Sequence, residues 1–335
     1  MSDALLQVSE ITKEFGSGPS RFRRSAPPPL RAVDQVSFEV RRGETFGIVG
    51  ESGCGKSTLT RAILRLLEPT SGSVVFDGID VGGLGTEELR QLRKRMQLVF
   101  QDPFGSLDPR MSALAIVAEA LEIHGVGDAV ERNATASEML ELVGIPAAQH
   151  QRRPFAFSGG QRQRIGVARA LVLRPDLVFL DEPISALDVS IQAQVLNLLK
   201  QLQADLGLTY VFIVHDLAVA EYFCDRVAVL YRGAIMEIGD SRQLFSSPLH
   251  PYTASLLSAV PIPDPEVIGR RERIVLRGDV GPMTALDGGC RFRARCPVGR
   301  DREICAAQAP PLTDHAAGHA AACHFPGELA KDAAA

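Results

Sequence analysis

The stretch Gly50-Glu51-Ser52-Gly53-Cys54-Gly55-Lys56-Ser57 decides how this 335-residue chain is read. It satisfies every specified position of the phosphate-cradling pattern G-x-x-x-x-G-K-[ST]. Ahead of it, Thr45-Phe46-Gly47-Ile48-Val49 is an apolar, partly β-branched run, and behind it Thr58 to Leu67 carries apolar residues at helical spacing. The motif therefore lies between strand and helix, the context it requires. Glycines let the backbone close around an oxyanion, while amide N–H groups and the helix N-terminus supply partial positive charge. Lys56 adds a full charge, and Ser57 offers a hydroxyl to Mg²⁺.

Other candidate residues stand where strands end. Leu177-Val178-Phe179-Leu180 fits a fully buried parallel strand and delivers Asp181 and Glu182 at its C-terminal end, where ligands of open α/β sheets bind. Asp181 is expected to hold Mg²⁺ through its water shell, and Glu182 to orient or deprotonate an attacking water. The strand Met96 to Phe100 ends on Gln101, a candidate for contact with Mg²⁺ and that water. A second buried strand, Thr209 to Val214, ends at His215, a candidate for contact with a γ-phosphate. Phe15, at the end of the first strand, is a candidate for stacking on adenine. In Phe157-Ser158-Gly159-Gly160-Gln161-Arg162-Gln163, ahead of a helix expected over 164–173, Ser158 and two glycines form an anion site. On a chain that already has a phosphate loop, a second such site serves the nucleotide of a neighbouring subunit. Ser185 to Asp188 reads as a turn before a helix over 190–203.

The remaining segments frame these sites. Residues 4–11 and 33–40 alternate apolar and polar side chains, as half-exposed antiparallel strands do. Between them, Gly16 to Leu30 carries Arg21, Arg23, Arg24 and three prolines at 27–29, and reads as an exposed loop or insertion. Residues 73–78 read as strand and turn, 86–95 as a charged helix and 112–150 as inserted helices. Val227 to Tyr231 and Ala234 to Ile238, joined by Arg232-Gly233, read as a hairpin at the sheet edge. Length suggests about two domains. A net charge of −4 gives no global attraction to nucleic acid or anionic lipid. No run of about 18 apolar residues occurs, and the N-terminal residues lack a basic segment followed by an apolar one. A cytoplasmic chain is expected, whose six cysteines are buried or metal-bound rather than disulfide-linked.

With these parts in this order, residues 4 to about 260 resemble the nucleotide-binding subunit of an ATP-binding-cassette (ABC) transporter. The resemblance implies an α/β fold, a P-loop NTPase ABC cassette with an antiparallel β subdomain and a helical subdomain inserted at about 102–170. It assigns Phe15 to adenine stacking and Gly50, Glu51, Ser52, Gly53, Cys54, Gly55, Lys56, Ser57 and Thr58 to the phosphates of ATP. It assigns Ser57, Gln101 and Asp181 to Mg²⁺, Glu182 to the general base and His215 to the γ-phosphate. Ser158, Gly159, Gly160 and Gln161 become the signature that contacts the opposite subunit's ATP, and Asp188 a dimer contact; Phe157 stands where many members have leucine. The runs at 100–110 and 185–194, with His250-Pro251-Tyr252-Thr253, resemble more finely the F-type ATPases of oligopeptide/dipeptide importers. Nickel, glutathione and some oligosaccharides are alternative cargoes of that subfamily. The implied partners are a second ABC ATPase in a heterodimer, two transmembrane permease subunits and an extracytoplasmic substrate-binding protein, at the cytoplasmic face of the membrane. A soluble cassette ATPase acting on nucleic acid or ribosomes is the alternative of a different class. The single cassette, the acidic net charge and the lack of a basic-aromatic stripe weigh against it, so no nucleic-acid partner is expected.

From 261 to 335 the chain becomes Pro- and Gly-rich, a small irregular extension that holds Cys290, Cys296, Cys305 and Cys323. Their spacing lacks the paired knuckles of structural zinc. Four thiolates suit a [4Fe–4S] cluster, zinc or no metal, and Arg291, Arg293 and Arg295 are expected to offset cluster charge. The run Gly289-Cys290-Arg291-Phe292 through Arg295-Cys296-Pro297 resembles the C-terminal extension of peptide-importer ATPases, which holds a [4Fe–4S] cluster in some members. His315, His319 and His324 are further possible ligands. Cys54 and Cys224 read as packing residues.

Overall fold

The computed structural model describes residues 4–16, 29–102, 105–260, 274–276 and 288–329. The insertion's arginines, Pro103, Phe104 and most of 261–287 lie outside these residues. Among the described residues the chain begins β1 (Ala4–Phe15), β2 (Leu30–Arg41), β3 (Thr45–Val49), α1 (Lys56–Ile63), β4 (Ser71–Phe76) and β5 (Ile79–Asp80). It continues α2 (Thr86–Leu92), β6 (Met96–Val99), α3 (Ala113–Ile123), α4 (Ala129–Leu142), α5 (Gly159–Leu171), β7 (Leu177–Asp181), α6 (Val189–Leu206) and β8 (Thr209–Val214). After these come α7 (Leu217–Phe223), β9 (Arg226–Tyr231), β10 (Ala234–Asp240), α8 (Ser241–Ser246) and α9 (Pro251–Ser258). The extension adds α10 (Glu303–Ala307), β11 (Thr313–Ala316) and β12 (His319–Ala321). The chain divides into two compact units, one of residues 41–45 and 81–213, the other of residues 4–40, 46–80 and 214 onward.

In the first unit, β6, β7 and β8 pair in parallel, with Met96 opposite Leu177 and Leu177 opposite Thr209. Every residue of β7 and β8 is buried, so apolar runs without alternation are what these strands require. Helices α3, α4 and α5 pack on one another, as the helical spacing of 112–150 anticipates. Helix α2 stops at Leu92 rather than Arg95. The Arg95 carbonyl accepts from Asp176 and Leu177, and its guanidinium meets the Asp176 carboxylate at 2.6 Å, which turns the chain into β6. Helix α6 outruns its expected end at Gln203 and closes on Gly207, whose φ of 66° suits a helix cap.

In the second unit, a sheet of order β2-β1-β4-β5 has β1 antiparallel to β4, and Asp77-Gly78 turns β4 into β5 with φ of 50° and 79°. A further set of strands runs β11-β12-β10-β9-β3. Strands β3 and β9 are parallel, while β9 to β10, β10 to β12 and β12 to β11 are antiparallel. The β9–β10 hairpin is therefore not at the edge, as its sequence suggests, because the extension adds two strands to it. Glu237 of β10, 0% exposed, is the reason. Its carboxylate accepts from the N–H groups of Leu249 and His250 at 2.8 and 2.9 Å and meets Nε2 of His319 on β12 at 2.7 Å. A buried carboxylate needs such partners, and the extension supplies one of them.

His250 caps α9 by accepting from the Tyr252 N–H at 3.0 Å and lies against Phe292. Burial pushes its imidazole down from 6.5 to about 4, against the opposing influence of Glu237 and a hydrogen bond to the backbone of Ala322. The unfolded chain thus binds a proton that the folded chain refuses between those values, and stability falls as pH drops through that window. From His250 the loss reaches about 3 kcal/mol at pH 4. Urea unfolding at pH 7, 5.5 and 4.5 should show it, and His250→Asn should flatten the dependence; an unchanged slope in the variant would exclude His250 as its source.

Candidate functional site

The phosphate loop of the second unit is held in a closed shape by its own lysine. Lys56 is buried, and its ammonium donates to the carbonyls of Gly50 and Glu51 at 2.7 and 3.1 Å. Gly50 has φ of 155°, and a Cβ there would lie 2.2 Å from the Leu230 carbonyl oxygen, so no other residue fits. Helix α1 starts from Gly55 with no side-chain cap, which leaves N-terminal amides for an anion. Cys54 is buried, with its sulfur against Gly50, and burial pushes its thiol up despite Lys56; Cys224 is buried against Gly47. Both cysteines pack. The hairpin turn Arg232-Gly233 meets the loop, its Gly233 N–H donating to the Cys54 carbonyl at 2.8 Å. Phe15, a residue 40% exposed, closes β1 with the Lys13 ammonium 5.3 Å from its ring centre. His215 is exposed just after β8, before α7.

Two further residues buttress this loop, and neither was singled out for it by sequence. The Glu51 N–H donates to the Tyr252 hydroxyl at 3.1 Å, and Arg295 donates to both Glu51 carboxylate oxygens at 2.7 and 3.0 Å. Tyr252 belongs to the quoted His-Pro-Tyr-Thr run, but nothing in its spacing announces a contact 201 residues away.

In the first unit, Asp181 is buried at the end of β7 and Glu182 follows with φ of 45°, a left-handed conformation uncommon outside glycine. The Glu182 N–H donates to the Ile213 carbonyl at 3.0 Å, and Gln101 Nε2 donates to Glu182 Oε2 at 2.9 Å. The two strand-end candidates thus come together. Helix α5 begins at Gly159, not near Arg164. The Ser158 hydroxyl accepts from the Gln161 N–H at 3.3 Å and Gln161 Oε1 from the Ser158 N–H at 3.1 Å, a capping box. A Cβ on Gly160 would meet Ile191 Cγ2 at 2.5 Å, and one on Gly159 would meet Leu187 at 3.3 Å. The serine-glycine start therefore lies on the turn that carries Asp188, the cap residue of α6, followed by Val189 at 81% exposure.

The four cysteines of the extension share one region. The Cys290 N–H donates to the Cys305 carbonyl at 2.9 Å, and a Cβ on Gly299 would lie 2.8 and 3.5 Å from the sulfurs of Cys305 and Cys296. Backbone N–H groups of Gly299 and Phe325 donate to Cys296 and Cys323 at 3.1 and 3.3 Å. Burial pushes all four thiols up, Cys323 to about 12. Among the described residues no group of three His, Cys, Asp or Glu side chains could hold a metal ion. Four thiols in one region are the donor type of an iron–sulfur cluster. Arg291 and Arg295 do not offset such a cluster, being paired with Asp34 and Glu51; Arg293, with Arg302, is the cation near Cys305. His319 is committed to Glu237, while His315 and His324 lie against the Ala321 and Gln308 carbonyls.

The family described as ABC transporter matches residues 33–185, and that described as oligopeptide/dipeptide transporter, C-terminal region, matches residues 236–305. A Brucella ovis protein provisionally named a peptide import ATP-binding protein is 53% identical over 319 residues, 95% of this chain and 97% of its own. The oligopeptide transport ATP-binding protein AppF of Bacillus subtilis is 47% identical over 324 residues, 96% of this chain and 98% of its own. A dimeric post-hydrolysis structure of the ATP-binding cassette MJ0796 bound to ADP and Pi superposes with a TM-score of 0.62 at 31% identity, covering 71% of this chain and 99% of that one.

Gly160→Ala should lower unfolding stability by about 1–3 kcal/mol through the clash with the stiff Ile191 side chain. In an Ile191→Ala background the same change should cost much less, and equal costs in both backgrounds would show that this contact does not set the residue.

Proposed function

We infer the function from one premise: the chain belongs to the ABC transporter family, as an ATPase built on a P-loop cassette. The protein is proposed to be the ATP-hydrolysing subunit that energises import of di- and oligopeptides across the membrane. What carries this is the likeness, over 95% or more of the chain, to peptide and oligopeptide transport ATP-binding proteins, extension included. Among the described residues no helix is long and apolar enough to cross a membrane, so permease subunits would have to supply the path. The proposed partners are two permeases, a second cassette ATPase and an extracytoplasmic substrate-binding protein, with this chain at the cytoplasmic face.

In the proposed mechanism Lys56 leaves the loop carbonyls for the phosphates of ATP, and the amides at the start of α1 receive them. Phe15 would stack on adenine. Ser57, Gln101 and Asp181 would hold Mg²⁺, whose charge would neutralise the phosphates. Glu182 would take a proton from water as the water oxygen bonds to the γ-phosphorus and the bond to the bridging oxygen of ADP breaks. His215 would contact the γ-phosphate. Gln101, already on the Glu182 carboxylate, would tie that base to the loop that follows it. Ser158, Gly159, Gly160 and Gln161, with Asp188, would face the partner subunit's ATP, and the exposed Val189 supports a covered surface there.

Glu182→Gln should keep ATP binding while hydrolysis falls by about 10²–10⁴-fold, and peptide uptake by cells that depend on this chain should fall with it. Near-normal turnover would remove Glu182 as base, and undiminished uptake would remove peptide transport. For the extension, a [4Fe–4S] cluster on Cys290, Cys296, Cys305 and Cys323 is a proposal resting on donor type alone. Anaerobic purification with iron and sulfide analysis should then find about four of each per chain; absence of both would exclude it.

A further inference from the structure

The segment between Cys290 and Cys296 works on the phosphate loop. Arg291 pairs with the Asp34 carboxylate and donates to the Arg232 carbonyl at 3.2 Å, on the hairpin turn that meets Cys54. Phe292 is fully buried, its ring 5.4, 5.3 and 5.6 Å from those of Tyr231, Tyr252 and His250. These contacts fix the segment. Arg295 then extends across the Tyr231 ring, 5.9 Å from its centre, and holds both oxygens of Glu51. Its side chain is only 11% exposed, and that of Glu51 28%.

Glu51 is the second residue of the phosphate loop, and its backbone is engaged at both polar groups, N–H to Tyr252 and carbonyl to Lys56. A carboxylate in that loop works against a bound triphosphate, more strongly where solvent is partly excluded. A guanidinium donating through two parallel N–H groups both cancels that charge and fixes the carboxylate's direction. We propose that Arg295 is a positioning residue of the nucleotide site, neutralising and orienting Glu51 so that the loop accepts ATP, which makes the C-terminal extension a working part of that site. The inference rests on the reading of residues 50–58 as the nucleotide loop. It separates the role of Arg295 from that of a stabilising ion pair, because the damage from losing Arg295 comes from Glu51 left charged.

The test is the affinity of the purified full-length chain for a fluorescent ATP analogue with Mg²⁺ at fixed ionic strength, in wild type, Arg295→Gln, Glu51→Gln and the double variant. Arg295→Gln should raise Kd about three- to tenfold, and adding Glu51→Gln should bring it back within about twofold of wild type. Glu51→Gln alone should bind at least as tightly as wild type. An unchanged Kd in Arg295→Gln, or a double variant as weak as the single, would overturn the proposal, since a purely structural pair gives no such rescue. Should Arg295→Gln fail to fold, Glu51→Gln decides alone, weaker binding overturning it. Lys56→Ala is the reference: wild type binding no better than that variant would defeat the nucleotide-loop reading itself, a failure distinct from that of Arg295.

Discussion

A buried ammonium with two carbonyl partners from its own loop is the constraint on which the second unit is arranged. Lys56 can be buried only because Gly50 and Glu51 turn their carbonyls to it, and Gly50 can do so only where a Cβ is absent beside Leu230. The surroundings follow from keeping that loop in shape. The β9–β10 turn donates to Cys54, Tyr252 takes the Glu51 N–H, and Arg295 takes the Glu51 carboxylate. Nucleotide binding would exchange the carbonyl partners of Lys56 for phosphate oxygens, a substitution of one set of acceptors for another rather than the burial of a new charge.

The first unit solves a different problem, that of presenting polar groups from a dry interior. Strands β7 and β8 are buried throughout, so Asp181 and Glu182 become polar at the point where the strand ends. The left-handed backbone at Glu182 turns its carboxylate to Gln101. The start of α5 is built by Ser158 and Gln161 capping each other, and its glycines let α6 approach closely enough to bring Asp188 beside it. Strain and close approach thus gather at the residues proposed to act on ATP, where fold and function make competing demands.

Local patterns made most of this legible in advance. The phosphate loop, the buried strands and the residues at their ends follow from motif and periodicity, which act over a few positions. Helix α5 starts at Gly159 rather than Arg164 because Ser158 and Gln161 cap each other, which places both glycines inside its first turn. The hairpin read as an edge because its neighbour β12 lies about 80 residues further on, drawn there by His319 and the buried Glu237. Arg291 and Arg295, between two cysteines, read as counter-charges to a metal cluster, whereas their partners are carboxylates 257 and 244 residues away. Such long-range pairs leave no periodic trace. The four cysteines show the converse, since donor type was evident and its arrangement was not.

A cassette that drives peptide import through membrane partners should carry them through affinity purification of the tagged chain from gently solubilised membranes. Mass spectrometry of the co-purifying proteins is expected to identify two multi-span permeases and a second cassette ATPase, in a complex whose ATP hydrolysis responds to peptide. Recovery of ribosomes or nucleic acid in their place, or of no membrane protein, would contradict that role.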